Sequence, residues 1–399
     1  MNDHNEHRQD DGQGELLSVP KTWEQHWNGM PQYEQKNLMP WQTVRVHFRS
    51  EQDRAAFSKL IGQTVTELTK FVWYPKAEHR KVANVRYENN SVMPQFPIYI
   101  VSKGRADSRL TSKALEAMRV PYFIIVEEQE FDVYASVIDK NKILVLEKRY
   151  QRDYDTFDDL GDSKSKGPGA ARNFAWDHSL SRGAEWHWVM DDNISNFLRL
   201  NKNLKVKVSD GAIFKLMEDF CLRYSNVAMA GPNYDFLAKR KQLIPPFILN
   251  TRIYSCNLIR NDLPYRWRGR YNEDTDLSLR ILKDGFCTVQ FNAFLQAKAT
   301  TQTTEGGCNA DFYQKEGTLP KSEMLAKMHP DVTRLVFKFS RAHHHVDYRQ
   351  FEKNKLILRD DAQVTPAFDI SFETIEPEKR APSILDLEEP PMSNEAWKR

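Results

Sequence analysis

Two acidic clusters lie far apart in the chain. Asp191-Asp192-Asn193 follows directly on the apolar Trp188-Val189-Met190, where a strand should end. Adjacent carboxylates on a turn at a strand's carboxyl edge suit a hard cation such as Mg²⁺ or Mn²⁺, which takes one or two carboxylates plus substrate phosphate oxygens. Such an ion would neutralise a leaving nucleoside diphosphate. Asp and Asn also build turns and helix N-caps with no metal involved, so the tripeptide alone does not choose. The second cluster is Asn272-Glu273-Asp274-Thr275-Asp276, followed by a helical pattern through Leu277, Leu279, Ile281 and Leu282. The helix macrodipole favours acids at a helix start whatever their chemistry. The chemical reading is that Asp274 takes a proton from an acceptor hydroxyl as general base, with Glu273 holding the acceptor.

Three further stretches carry candidate groups. Lys166-Gly167-Pro168-Gly169-Ala170-Ala171-Arg172-Asn173 opens a helix with glycines and an arginine. Backbone N–H groups and positive charge there suit phosphate, and a Gly–Pro turn explains the same residues structurally. It is not a Walker A sequence. From Lys239-Arg240-Lys241 through Arg252, Arg260, Arg266, Arg268 and Arg270, Asp262 is the only acid, and Tyr254, Tyr265, Trp267 and Tyr271 are interleaved. Arginine with aromatics fits a phosphodiester backbone and unstacked bases, and a charge run is also what a solvated face looks like. Finally, Arg341-Ala342-His343-His344-His345 holds imidazoles that can complete a metal site begun by acids, although three adjacent residues cannot all point one way.

The elements that position these groups read as α/β. FPIYIVS, YFIIVEE, ILVLE, WHWVMDDN and VAMAGP are short apolar runs. They alternate with helices expected at Leu110 to Met118 and 169–182. Near-continuous apolar strands between helices imply a parallel sheet covered on both faces. Ligands on such sheets bind beyond the carboxyl ends of the strands, so the polar residues after each strand are the ones that matter. Ahead of this domain, at 41–80, lies a small α+β module. Val44, Val46 and Phe48 alternate as a strand, Ser50 and Asp53 resemble a capping box, and a helix runs from Glu51 to Ile61. Gly62 is its expected C-cap, and Thr69 to Tyr74 reads as a second strand. Residues 1–18 and the acidic, proline-rich 360–399 have the composition of disordered tails.

Composition narrows the class. Charged residues make up 28% and hydrophobics 40%, with a formal net charge of +2. That is a soluble, globular balance with no polyelectrolyte signature, so any attraction to nucleic acid must be local. No apolar window reaches membrane-spanning length, and the N-terminus has no apolar signal region, so a cytoplasmic location is expected. Cys221, Cys256, Cys287 and Cys308 are widely spaced, which argues against a zinc site or disulfide framework.

The order of these segments carries more than any one of them. A strand ending Ser-Lys-Gly-Arg, a strand ending in Glu, an Arg-Asn helix, a strand ending Asp-Asp-Asn, a Glu-Asp helix start and a late His follow the layout of GT-A glycosyltransferases. More closely, the chain resembles the TET/JBP-associated glycosyltransferases of tailed phages and prophages. The resemblance rests on PIYIVSKGR, ARNFAWDHS, WVMDDN, PPFILNTRIYSCNLIRNDLPYRWRGRYNEDTDLSLR and HHHVDYR. It implies a GT-A-like, doubly wound, mostly parallel sheet over 96–358. It implies transfer of a sugar from a nucleotide-sugar to a hydroxymethylated pyrimidine in phage DNA, with Mn²⁺ or Mg²⁺. The metal would rest on Asp191, Asp192, Asn193 and His344, with Asn193 an amide at the third position of the usual Asp-x-Asp. Donor contacts would come from Ser102, Lys103, Arg105, Glu127, Arg172 and Asn173. The acceptor would be held by Arg252, Tyr254, Arg266, Trp267, Arg268 and Arg270. A base at Asp274 predicts inversion at the anomeric carbon. Two other classes fit the residues: a nucleotidyltransferase on the same kind of sheet, and a non-catalytic DNA-binding protein.

Overall fold

The computed structural model describes residues 21–77, 82, 85–88, 92–160, 166–299, 319–338, 341–362 and 373–375. The strands are β1 (Arg86–Glu88), β2 (Ile98–Val101), β3 (Phe123–Val126), β4 (Ile143–Val145), β5 (Trp186–Asp191), β6 (Ile194–Asn201) and β7 (Leu204–Val208). They continue with β8 (Val227–Tyr234), β9 (Phe247–Leu249), β10 (Cys256–Arg260), β11 (Cys287–Lys298), β12 (Thr333–Lys338), β13 (Arg341–Val346) and β14 (Glu373–Ile375). The helices are α1 (Glu51–Ile61), α2 (Leu110–Ala117), α3 (Phe131–Ala135), α4 (Lys148–Arg152), α5 (Gly169–Ser181), α6 (Ala212–Leu222), α7 (Glu273–Lys283) and α8 (Leu319–Met328).

One 12-stranded sheet has the order β14-β1-β7-β6-β11-β8-β10-β5-β2-β3-β4, with β9 on β11, and β12 and β13 form a separate hairpin. Most strands run with β2; only β6, β9, β10 and β14 run against it. The expected parallel sheet is therefore present but mixed, because β10 sits antiparallel between β5 and β8.

The apolar runs form strands because each feeds two cores. Along β2, Ile98 and Ile100 enter one hydrophobic cluster with Leu115 and Met118 of the α2 region and Phe214, Met217 and Phe220 of α6. Tyr99 and Val101, pointing the other way, enter a second cluster with Phe174 and Ala175 of α5 and Leu277 and Ile281 of α7. The period of two thus sorts one strand onto two buried faces. This three-layer arrangement is an α/β, GT-A-like fold. The segment before the expected module also joins it, with Trp27 buried against Phe220, Phe247, Phe291 and Phe294.

The small module differs from expectation. Helix α1 and both its caps are present: Ser50 Oγ accepts from the Asp53 N–H at 3.1 Å, and Gly62 takes the left-handed conformation at φ 63°. Neither flanking strand forms. Val44 is 70% exposed and Phe71 72%, and neither segment finds a strand partner. Alternation selects a face but cannot supply the backbone hydrogen bonds that a strand needs. At the other end, part of the tail expected to be disordered pairs with the sheet, as β14 lies antiparallel to β1. The rest of that tail beyond Ala362, the tail at 1–18 and Cys308 lie outside the described residues. The other three cysteines are buried free thiols. Among the described residues no helix is long and apolar enough to cross a membrane.

Candidate active site

The sheet converges its polar strand ends on one edge. Asp191 ends β5, Ser102 follows β2, Glu127 follows β3, Tyr234 ends β8 and Lys298 lies at the end of β11, while Ser255 precedes the antiparallel β10. All six line one cleft of about 590 Å³. Its wall is completed by the start of α5, the start of α7 and His344 from β13.

Asp191 is the hub. Its Oδ1 accepts from Arg172 Nη2 at 2.8 Å and its Oδ2 from Lys298 Nζ at 2.7 Å. Burial alone would raise its pKa, but Lys298 and Arg172 together hold the carboxyl well below the usual range. The same partnership keeps Lys298 above an ordinary lysine although burial works against its charge. Arg172 also donates from Nη1 to Glu273 Oε1 at 2.9 Å, and its guanidinium lies 4.6 Å over the Trp267 ring. Asp192 is held separately: Arg105 pairs with Oδ1 and Ser102 Oγ donates to Oδ2 at 2.7 Å. Thr111 of α2 fixes the turn between the strands, donating from Oγ1 to the Asp191 carbonyl at 2.6 Å and accepting from the Ile194 N–H at 2.9 Å. Asp191-Asp192-Asn193 is therefore a β5–β6 turn and not a helix cap.

Glu273 and Asp274 open α7 but occupy different surroundings. Burial pushes Glu273 up, while Arg172 beside it works in the opposite sense. Asp274 faces the cleft, and its Oδ1 accepts from the Thr275 N–H at 2.7 Å. Asp276, itself fully buried, turns away to pair with Arg268, Arg280 and His329. Only part of this acidic cluster is macrodipole and scaffold. Asn272, in the left-handed conformation at φ 55°, bends the chain so that Asp274 meets the cleft.

Of the expected donor residues, Ser102, Lys103, Arg105, Glu127 and Arg172 line the cleft. Asn173 does not: its side chain clamps the Trp267 backbone, donating to the carbonyl at 2.9 Å and accepting from the N–H at 2.8 Å. Among the expected acceptor residues, Arg252 and Tyr254 line the cleft, the guanidinium 4.4 Å over the Tyr254 ring. Tyr254 stacks on Tyr234 at 5.4 Å, and Tyr234 on Phe236 at 5.2 Å. Arg266, Trp267 and Arg268 do not line the cleft. Arg266 pairs with Asp177, and Arg268 with Asp276. Trp267 is 1% exposed. Arg270 borders the cleft, but its guanidinium is directed to Asp158 at 2.7 Å. Alternating arginine and aromatic residues on a loop without regular structure gave no sequence signal of which would face inward.

Lys298, Ser255 and Tyr234 were missed, although reading the polar residue at the end of every strand would have found Lys298. The strand β11 was overlooked because its polar Gln290, Asn292 and Gln296 break up the apolar run.

A divalent ion fits this site poorly. Both oxygens of Asp191 and both of Asp192 already accept from protein donors, three of them cationic. Among the buried atoms of residues lining the cleft, Asn193 Oδ1 and His344 Nδ1 could ligate an ion and have no hydrogen-bond partner. His344 is held neutral, its pKa lowered to about 4 by burial and by Arg252. Among the described residues, no three His, Cys, Asp or Glu side chains are grouped to hold an ion.

A charged cleft at the carboxyl edge of a GT-A-like sheet is where an α/β protein binds its ligand. Residues 96–307, more than half of the chain, match the family described as TET-Associated Glycosyltransferase, and the protein belongs to that family. It is a glycosyltransferase and, as such, uses a sugar donor and a glycosyl acceptor. No curated protein matches the chain in sequence.

Proposed function

We propose that the protein transfers a sugar from a nucleotide-sugar to a hydroxymethylated pyrimidine base in phage DNA. The observation that carries the reading is the placement of Asp274. It is a carboxylate at a helix start that lines the same cleft as the cations held on Asp191 and Asp192. The nucleotide lies along Ser102, Lys103 and Glu127, with its diphosphate toward Arg105, Arg172 and Lys298. The acceptor base enters past Arg252 and Tyr254, whose stacked faces suit a planar heterocycle.

In the step itself, the acceptor hydroxymethyl oxygen bonds to the anomeric carbon as the bond from that carbon to the phosphate oxygen breaks. The electron pair leaves with the nucleoside diphosphate, and the hydroxyl proton passes to Asp274. A single displacement of this kind inverts the anomeric centre. Cations fixed before the reaction stabilise the departing charge without reorganising.

The test offers a panel of nucleotide-sugars with DNA containing hydroxymethylcytosine or hydroxymethyluracil. The DNA is then digested to nucleosides for mass spectrometry. One base gaining a hexose or pentose mass, absent with Asp274→Asn, supports the reading. Donor turnover with no mass on any base would discard the DNA acceptor. A retained anomeric configuration would remove Asp274 as the base.

A further inference from the structure

We propose that Lys298, with Arg172, neutralises the departing nucleoside diphosphate, so that this glycosyltransferase transfers sugar without a divalent ion. The proposal rests on the nucleotide-sugar reading above.

Lys298 stands at the end of β11, beside the β5 carboxylates where a resident ion would lie. Its ammonium group is fixed from two sides, donating to Asp191 Oδ2 and to Ser255 Oγ at 2.7 Å each. Ser255 Oγ is in turn within 2.7 Å of the Tyr234 hydroxyl. An ammonium group has three N–H donors, so one remains for a ligand in the cleft. Arg172 is 3% exposed and its Nε has no partner, so its donor capacity is also incompletely used.

The charge around the cleft points the same way. Leaving aside Arg270, whose charge is paired with Asp158, six basic side chains line it against five acidic ones. A diphosphate therefore meets net positive charge with no imported ion. An ion entering at Asp191 or Asp192 would have to displace Lys298 or Arg105 from a buried pair, and that exposes a cation to a low-dielectric wall. The two carboxylates act here as anchors that hold cations in position. This also accounts for Asn193: with no ion to balance, a third carboxylate would only cancel the charge offered to the phosphates.

The experiment measures binding of UDP, GDP, CDP and dTDP, and of the matching nucleosides, to the full chain by calorimetry. It is run once in EDTA and once in Mn²⁺, alongside donor turnover. The proposal expects one diphosphate to bind in EDTA about as tightly as in Mn²⁺, and turnover to persist in EDTA. Lys298→Met should weaken that diphosphate roughly tenfold or more while leaving the nucleoside unchanged, as a lost charge-assisted bond predicts. It should also lower kcat by roughly 10²-fold, the scale of one lost electrostatic stabiliser. Lys298→Arg should recover part of both.

Binding or turnover that vanishes in EDTA and returns with Mn²⁺ or Mg²⁺ overturns the proposal and leaves the donor reading intact. So does an unchanged Lys298→Met. Should that variant fail to fold, the wild-type comparison in EDTA decides alone. If no diphosphate binds under either condition, the nucleotide donor falls and this proposal with it. Binding in EDTA without mass added to DNA removes only the acceptor.

Discussion

Glu273 and Asp274 are adjacent acids with different surroundings, and this difference assigns their roles. Both line the cleft, but Glu273 is nearly buried and bonded to Arg172, so in the proposed reaction it orients a cation while Asp274 takes the proton. Asp274→Asn should lower kcat about 10³-fold, within the usual range for a lost general base, while donor KM changes little. An equal rise in donor KM in steady-state kinetics would place Asp274 in donor binding instead. The arginines divide in the same way. Arg252 lines the cleft and Arg266 is turned to Asp177. Arg252→Ala should therefore raise KM for DNA several-fold, and Arg266→Ala should leave it near the wild-type value. Equal effects in a DNA titration would contradict this division.

At the scale of elements, α5 matters through how it starts. Gly169 is its first residue, and a Cβ there would fall 1.8 Å from the Tyr154 Oη and 2.3 Å from its Cζ. Tyr154 is buried and donates to the Gly269 carbonyl at 2.8 Å, so its ring cannot simply swing away. Gly169→Ala should destabilise the fold by about 1–3 kcal/mol, the cost of forced overpacking. Because Arg172 sits one turn along α5, activity should fall further than stability alone explains. Thermal unfolding and donor turnover measured together check this, and a variant with wild-type values for both would show that α5 tolerates the shift.

At the scale of the whole molecule, buried titratable groups couple stability to pH, and they do not all act in one direction. His187 is fully buried, and burial lowers its pKa from 6.5 to about 4. Below pH 6.5 the unfolded chain takes up a proton that the folded protein refuses until about pH 4. Stability from this residue is therefore complete above pH 6.5 and is lost as pH falls toward 4, by about 3 kcal/mol in total. His344 shifts in the same direction. Glu218, raised to about 7 by burial, contributes in the opposite sense over the same range, so the test is a difference: the change in urea stability from pH 7 to pH 5 should be more favourable in His187→Phe than in the wild type, and an equal change would remove His187 as a source. Salt acts on the molecule as a whole. If the acceptor is DNA, KM should rise with salt, with a log–log slope of about 0.9 per neutralised phosphate. A KM indifferent to salt would point to a small acceptor.

The sequence by itself determined the layers and the strand ends. Apolar runs such as Ile98 to Val101 and Trp186 to Met190 can be satisfied only by burial on both faces, so they report a doubly covered sheet without reference to partners. Ser50 and Gly62 marked the ends of α1 because capping is local. Asp191, Asp192, Glu273 and Asp274 were legible because polar residues at strand and helix ends have few other places to go. What only the tertiary structure decided was pairing. The segment at 44–48 has the alternation of a strand and 69–74 reads as one, yet neither has a strand neighbour to pair with. Lys298 lies 107 residues from Asp191 and becomes its partner only when β11 and β5 bring their ends to one edge. Trp267, Arg268 and Arg270 have the composition of a binding face, yet Trp267 and Arg270 are buried against Arg172 and Asp158, and Arg268 is turned to the buried Asp276. Which charge faces a ligand and which faces another charge depends on distances that no spacing along the chain encodes.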